Sequence, residues 1–315
     1  MAEPRTAGPD HRDGRVYLST PETDLAIRVA RATGRPLLLR GEPGSGKSSL
    51  APWVAAREKW RYYEHVVTSR TQTQDLMWSF DIVRRFADAP VYAARDEKLD
   101  ESRYVTPGVL WWAFDRESAL RRGAPPPAEP DPTLEPLPLL NRGTKRDGAV
   151  VLIDEIDKAD PDVPNALLVP LGSREFTVTE TGTLVQGAEG STGNHLVIIT
   201  TNDERELPAA FLRRCVVLTL PAPDHKRLVE IAQRHLRTYK VAHEHPDPAG
   251  LARHLADELQ KVRNEAALHG GRPPSTAEYL DTFFACLQLK IVVGDDQWAA
   301  LCRMTLRKDD QPGWS

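Results

Sequence analysis

Cysteine is scarce in this chain. The three present in 315 residues, Cys215, Cys286 and Cys302, are too few and too scattered for a disulfide framework or a zinc knuckle, and read as buried thiols of a reducing compartment. There is no excess of positive charge either. A formal net charge of −4 gives no overall attraction to a polyanion, so nucleic acid is not an expected partner without a local basic patch. No segment approaches the roughly 18 consecutive apolar residues of a membrane helix, and the first ten residues lack the apolar stretch of a secretory leader. No membrane span is expected, and the cytoplasm is the expected location. No internal repeat is present. What remains is an ordinary soluble composition, 40% hydrophobic, long enough for one large domain and a smaller one.

Against that background one segment stands out. Gly41-Glu42-Pro43-Gly44-Ser45-Gly46-Lys47-Ser48 fits G-x-x-x-x-G-K-[ST] at every fixed position, with the apolar run Pro36 to Leu39 before it and a helical pattern to Glu58 after it. The glycines let the backbone curl so that successive N–H groups face a phosphate, and the helix N-terminus adds partial positive charge. In this reading Lys47 neutralises β- and γ-oxygens, the Ser48 hydroxyl ligates magnesium, and Ser49 lies beside it in the first helical turn. The sequence thus predicts binding of a nucleoside triphosphate with Mg2+. The loop does not distinguish adenine from guanine.

Around this loop, apolar strand-like runs alternate with helical patterns, which predicts a parallel, doubly wound α/β sheet of the P-loop NTPase kind. Strands are expected at 36–40, 62–68, 149–154 and 195–201, with Cys215-Val-Val-Leu-Thr-Leu closing the series. Helices are expected at 22–33, capped by Thr20 or Thr23, and around 75–89. Seven prolines between Pro125 and Pro138 predict an extended, exposed loop within about 121–141. The alternating β-formers of 175–186 predict a hairpin about a Thr-Gly turn. After Pro223 the strand signals stop, and 224–315 reads as a small, all-helical C-terminal domain behind a nucleotide-binding domain at 16–223 and a loose arm at 1–15.

Three further constellations bear on chemistry. Val150-Val-Leu-Ile-Asp154-Glu155 places two carboxylates at the C-terminal edge of a buried strand, where α/β sheets bind ligands. There Asp154 is expected to hold magnesium and Glu155 to polarise the attacking water. Thr200-Thr201-Asn202 ends the next strand with an amide suited to the γ-phosphate or the lytic water. Phe211-Leu212-Arg213-Arg214 offers a guanidinium that a neighbouring subunit could receive at its γ-phosphate, and either Arg213 or Arg214 fits that role.

These elements in this order resemble the AAA+ ATPases, and more closely their MoxR-type branch. The closer resemblance is carried by Arg40 to Lys47, by Tyr104-Val-Thr-Pro-Gly-Val-Leu-Trp-Trp112, by Leu152-Ile-Asp-Glu-Ile-Asp-Lys-Ala-Asp160 and by the segment from Thr200 to Arg214 with its Leu-Pro-x-x-Phe-Leu-Arg-Arg box. The resemblance implies a homo-oligomeric ring, commonly a hexamer, that binds ATP between subunits and remodels a protein client. Parts of 70–115 and 174–187 would handle that client, and a partner carrying a von Willebrand factor A domain is implied in the same way. It also implies a helical lid whose arginine meets the γ-phosphate, yet Pro274-Ser-Thr-Ala-Glu-Tyr279 contains none.

Other features have plain readings. Trp111, Trp112 and Phe114 are expected in the core. His243-Glu-His245 reads as a solvated loop, and the charges of 303–310 as a mixed helix face. The expected function is ATP-driven remodelling of a protein. A DNA-associated motor or restriction-type NTPase component is one alternative, and an ATP-gated assembly switch with little turnover is another.

Overall fold

The computed structural model describes residues 14–145, 148–187, 194–239, 245–269 and 271–307. Its contacts divide the chain into two compact units, one of 19–40 with 50–219 and one that joins 41–49 to the N-terminal segment and to everything from 220 onward.

The first unit is built on five parallel strands: β1 (Leu37–Arg40), β2 (Arg61–Val66), β5 (Ala149–Asp154), β8 (His195–Thr200) and β9 (Val216–Thr219), in the order β2-β5-β8-β1-β9. Every residue of β5 is buried, as a strand covered on both faces requires. Leu152 pairs with Ile198 and Leu37 with the same residue from the other side, so β8 lies between β1 and β5 with the C-terminal ends of all three on one edge. The helix Pro21–Thr33 begins at Thr20, whose hydroxyl accepts the Thr23 N–H, with Pro21 at a position that needs no N–H, and ends on Gly34 in the left-handed conformation. The doubly wound α/β fold follows from these runs.

Two short antiparallel pairs decorate this sheet: β3 (Trp78–Phe80) with β4 (Val105–Pro107), and the hairpin β6 (Glu175–Val178) with β7 (Thr183–Gln186). The hairpin is the one expected at 175–186. It is anchored by Phe176, which stacks on Trp78 at 5.6 Å and meets Trp111 edge-on. Trp111, Trp112 and Phe114 are buried in the same cluster, in agreement with their core reading.

Two expectations need correction. The helix placed at 75–89 instead runs over Ile82–Ala94, because Asp81 caps it through the Arg84 N–H and 78–80 is taken by β3. The proline-rich loop is not wholly extended or exposed. Glu135 is buried, accepting from Tyr63 Oη at 2.9 Å and from Arg116 Nε at 2.6 Å. Asn141 exchanges hydrogen bonds with the backbone N–H and carbonyl of Tyr62. A polar anchor at each of these points holds a segment whose prolines cannot donate to a ladder.

In the second unit, the helices His225–Tyr239, Pro248–His269, Thr276–Leu289 and Asp296–Cys302 bury Leu228, Leu255, Leu259, Tyr279, Phe283 and Cys286 in a common core. Ser275 and Glu278 form a reciprocal capping box at the start of Thr276–Leu289. His243 and Glu244 lie outside the described residues, as do most of the 1–15 arm and residues 308–310. Among the described residues no helix is long and apolar enough to cross a membrane.

Candidate functional site

The glycine loop leaves the C-terminal end of β1 and runs directly into the helix Lys47–Glu58. Gly41, Gly44 and Gly46 all have positive φ, +138°, +80° and +92°, which a side chain would strain. Gly41 packs on the Leu220 carbonyl, and a Cβ on Gly44 would come within 2.6 Å of Ser275 Cβ and 2.7 Å of the Thr276 nitrogen. The loop is thus held against the first turn of the helix Thr276–Leu289. Lys47 is buried and its ammonium donates to the carbonyls of Gly41 at 2.7 Å and Glu42 at 2.9 Å. Glu42 and Pro43 are exposed, while Ser48 and Ser49 are half-buried in the first helical turn. The buried Ser45 Oγ has no hydrogen-bond partner.

The carboxylate pair ends β5 in the other unit. Asp154 is buried, and its Oδ1 accepts the Thr200 hydroxyl at 2.6 Å. The same hydroxyl oxygen accepts the Glu155 N–H at 2.8 Å. Glu155 itself sits at φ 61°, ψ 51°, a left-handed conformation uncommon outside glycine and asparagine, which turns the chain sharply out of the sheet. Its Oε1 accepts the Asn202 amide at 3.3 Å, and its Oε2 lies 2.5 Å from Lys158 Nζ. Asp154, Glu155 and Asn202 are therefore brought together at one sheet edge.

Beneath them, Asp157 Oδ2 accepts the backbone N–H groups of both Asn202 and Glu204, at 3.1 and 3.0 Å. Neither this clamp nor the Thr200 bridge nor the Lys158 pairing is evident in the sequence. The signal that could have exposed them is the pairing of β5 with β8, since adjacent strand ends must satisfy each other's polar groups.

Arg213 and Arg214 follow the short helix Ala209–Leu212, pinned by the fully buried Phe211. Both are exposed, and among the described residues neither guanidinium makes a hydrogen bond or ion pair. In the helical unit, Arg272 is mostly exposed and lies 3.7 Å from Glu278. Arg263 is half-buried, donating to the carbonyls of Pro274 at 3.0 Å and Pro223 at 2.9 Å, and burial lowers its pKa.

A parallel sheet with a glycine-rich loop after one strand and an acid at the end of a strand two places away defines a P-loop NTPase. The family described as the AAA domain, dynein-related subfamily, matches residues 36–215, more than half of the chain. The chain belongs to that family of AAA+ ATPases. No curated protein matches the sequence. Among solved structures it is similar to domain III of the replication initiation protein DnaA of Thermotoga maritima, at 15% identity over 94% of this chain and 97% of that one, TM-score 0.45. It is also similar to a RuvB variant of Thermotoga maritima, at 15% identity over 88% and 70%, TM-score 0.41.

Proposed function

We propose that this protein hydrolyses ATP with Mg2+ as a MoxR-like ring and spends the energy on remodelling a protein client. The observation that carries the reading is the strand order. β1 and β5 are separated only by β8, so the chain enters the phosphate loop from the same sheet edge at which Asp154, Glu155 and Asn202 converge.

The residues present fit the nucleotide. Three glycines at positive φ free the loop to direct N–H groups inward, and the unpartnered Ser45 hydroxyl lies in the same loop. In the bound state Gly41 to Ser49 would wrap the phosphates, with Lys47 exchanging its two loop carbonyls for phosphate oxygens. Ser48 and Asp154 would hold magnesium. Phosphate oxygens and water would complete its coordination, as is usual for this ion. When bound, the ion neutralises charge on the phosphates.

Glu155 acts as general base and Asn202 orients the same water. Thr200 donates to Asp154 and fixes that carboxylate at the end of β5, while Glu155 is left to act on the water. Arg213 or Arg214 from a neighbouring copy completes the site, which ties turnover to assembly. The hairpin β6–β7 and parts of 70–115 would engage the client, with a von Willebrand factor A domain protein as partner.

Replacing Glu155 by Gln tests the assignment. Nucleotide affinity should be retained while turnover falls by about two orders of magnitude or more, the contribution of a positioned base, and an ATP-loaded oligomer should accumulate. A Glu155→Gln protein with parental turnover would overturn the reading.

A further inference from the structure

Both carboxylate oxygens of Glu155 are engaged, Oε1 by the Asn202 amide at 3.3 Å and Oε2 by the Lys158 ammonium at 2.5 Å. The Lys158 ammonium competes with the attacking water for the Oε2 lone pairs, so the base works best with that cation moved away. The two donors differ in how firmly they are held. Asn202 is fixed through its own N–H to the buried Asp157, whereas Lys158 stands half-exposed on a flexible four-carbon stem.

Lys158 also has somewhere to go. It lines a cavity of about 360 Å³ together with Thr68, Ser69, Asp157 and Glu204. Asp157 is 3% exposed, and although its Oδ2 accepts two backbone N–H groups, its Oδ1 has no hydrogen-bond partner. A buried carboxylate oxygen left without a donor is costly, and an ammonium is the group best able to satisfy it. In the resting position the hydrogen bond and charge of Glu155, and then the charges of Glu204 and Asp157, favour the charged form of Lys158.

We propose that Lys158 is a movable latch on Glu155, a positioning residue that swings to Asp157 and Glu204 to release the base for hydrolysis. The inference rests on the reading of Glu155 as the base. The device has two states within one cavity, and anything that draws the lysine toward Asp157 raises the rate without touching the nucleotide.

Steady-state ATP turnover and nucleotide affinity of Lys158→Met, Asp157→Asn and the double variant test this. Removing a half-exposed ion pair from the resting state should raise kcat about threefold, with nucleotide affinity unchanged. Asp157→Asn keeps an acceptor for the two backbone N–H groups but loses the charge that receives the lysine, so kcat should fall. The double variant should recover the rate of Lys158→Met, because with the latch gone its receiver no longer matters. A folded Lys158→Met with kcat at or below the parent's would overturn the proposal, and Lys158→Gln is the replacement if the methionine variant does not fold. Glu155→Gln in the same assay separates the two failures. If Glu155→Gln is silent and Lys158→Met shows no rise, the latch alone falls; if Glu155→Gln still turns over, the base assignment falls and the latch with it.

Discussion

The Thr200 hydroxyl donates to Asp154 Oδ1 at 2.6 Å and accepts the Glu155 N–H at 2.8 Å, so one side chain of β8 fixes both acids at the end of β5. Thr200→Val keeps the shape but strips a partner from a buried carboxylate and from a backbone N–H. The expected loss is about 1–3 kcal/mol of stability, the cost of leaving such groups unsatisfied. Urea denaturation should show it as a lower midpoint, and Thr200→Ser should recover most of the loss. A valine variant as stable as the parent would show that the hydroxyl holds nothing.

The phosphate loop should be equally intolerant at Gly44. Its φ of +80° disfavours any side chain, and a Cβ would meet Ser275 Cβ at 2.6 Å and the Thr276 backbone nitrogen at 2.7 Å, at the start of a capped helix that cannot easily yield. Gly44→Ala should weaken ATP binding about fivefold to thirtyfold, since about 1–2 kcal/mol of strain must be relieved by moving the loop. Equilibrium titration with a fluorescent ATP analogue would check it. Affinity equal to the parent's would mean that the loop relaxes without cost.

How much of this was legible in the sequence follows from which interactions are local. The loop from Gly41 to Ser48, the buried run ending at Asp154 and the hairpin at 175–186 are contiguous patterns, and each lies where its residues predict. The helix at 82–94 was displaced because a three-residue strand, Trp78–Phe80, has too short a period to read, and its pairing with Val105–Pro107 is set by residues about 25 positions away. Glu135 was lost in a proline-rich stretch because its partners, Tyr63 and Arg116, belong to other elements. The Thr200 bridge and the Asp157 clamp span about 45 residues of sequence, and no local pattern announces such pairs.

The cysteines offer a test of burial that is independent of the nucleotide. Burial pushes the thiols of Cys215 and Cys286 up to about 12 and that of Cys302 up to about 11. Below those values each stays protonated, and the thiol form does not react with alkylating agents. Native protein at pH 8 should therefore resist iodoacetamide at all three positions, and should be labelled at all three once denatured. Rapid labelling of any one in the native state, read by mass spectrometry, would contradict its burial.

Arg213 and Arg214 project from a turn anchored by Phe211, exposed and with no ion pair or side-chain hydrogen bond among the described residues. A surface guanidinium of that kind contributes little to its own fold, so replacing it should leave melting behaviour within about 0.5 kcal/mol of the parent. If one of them serves a neighbouring copy, Arg213→Ala or Arg214→Ala should keep nucleotide affinity and lose turnover by about 10³-fold or more. Mixing then decides whether the arginine acts across the interface. An arginine variant and Glu155→Gln, each silent alone, should regain activity when combined, because about a quarter of randomly formed head-to-tail interfaces pair an intact Glu155 with an intact arginine. Silence of the mixture, with oligomers present by light scattering, would mean that the arginine acts within its own subunit or not at all.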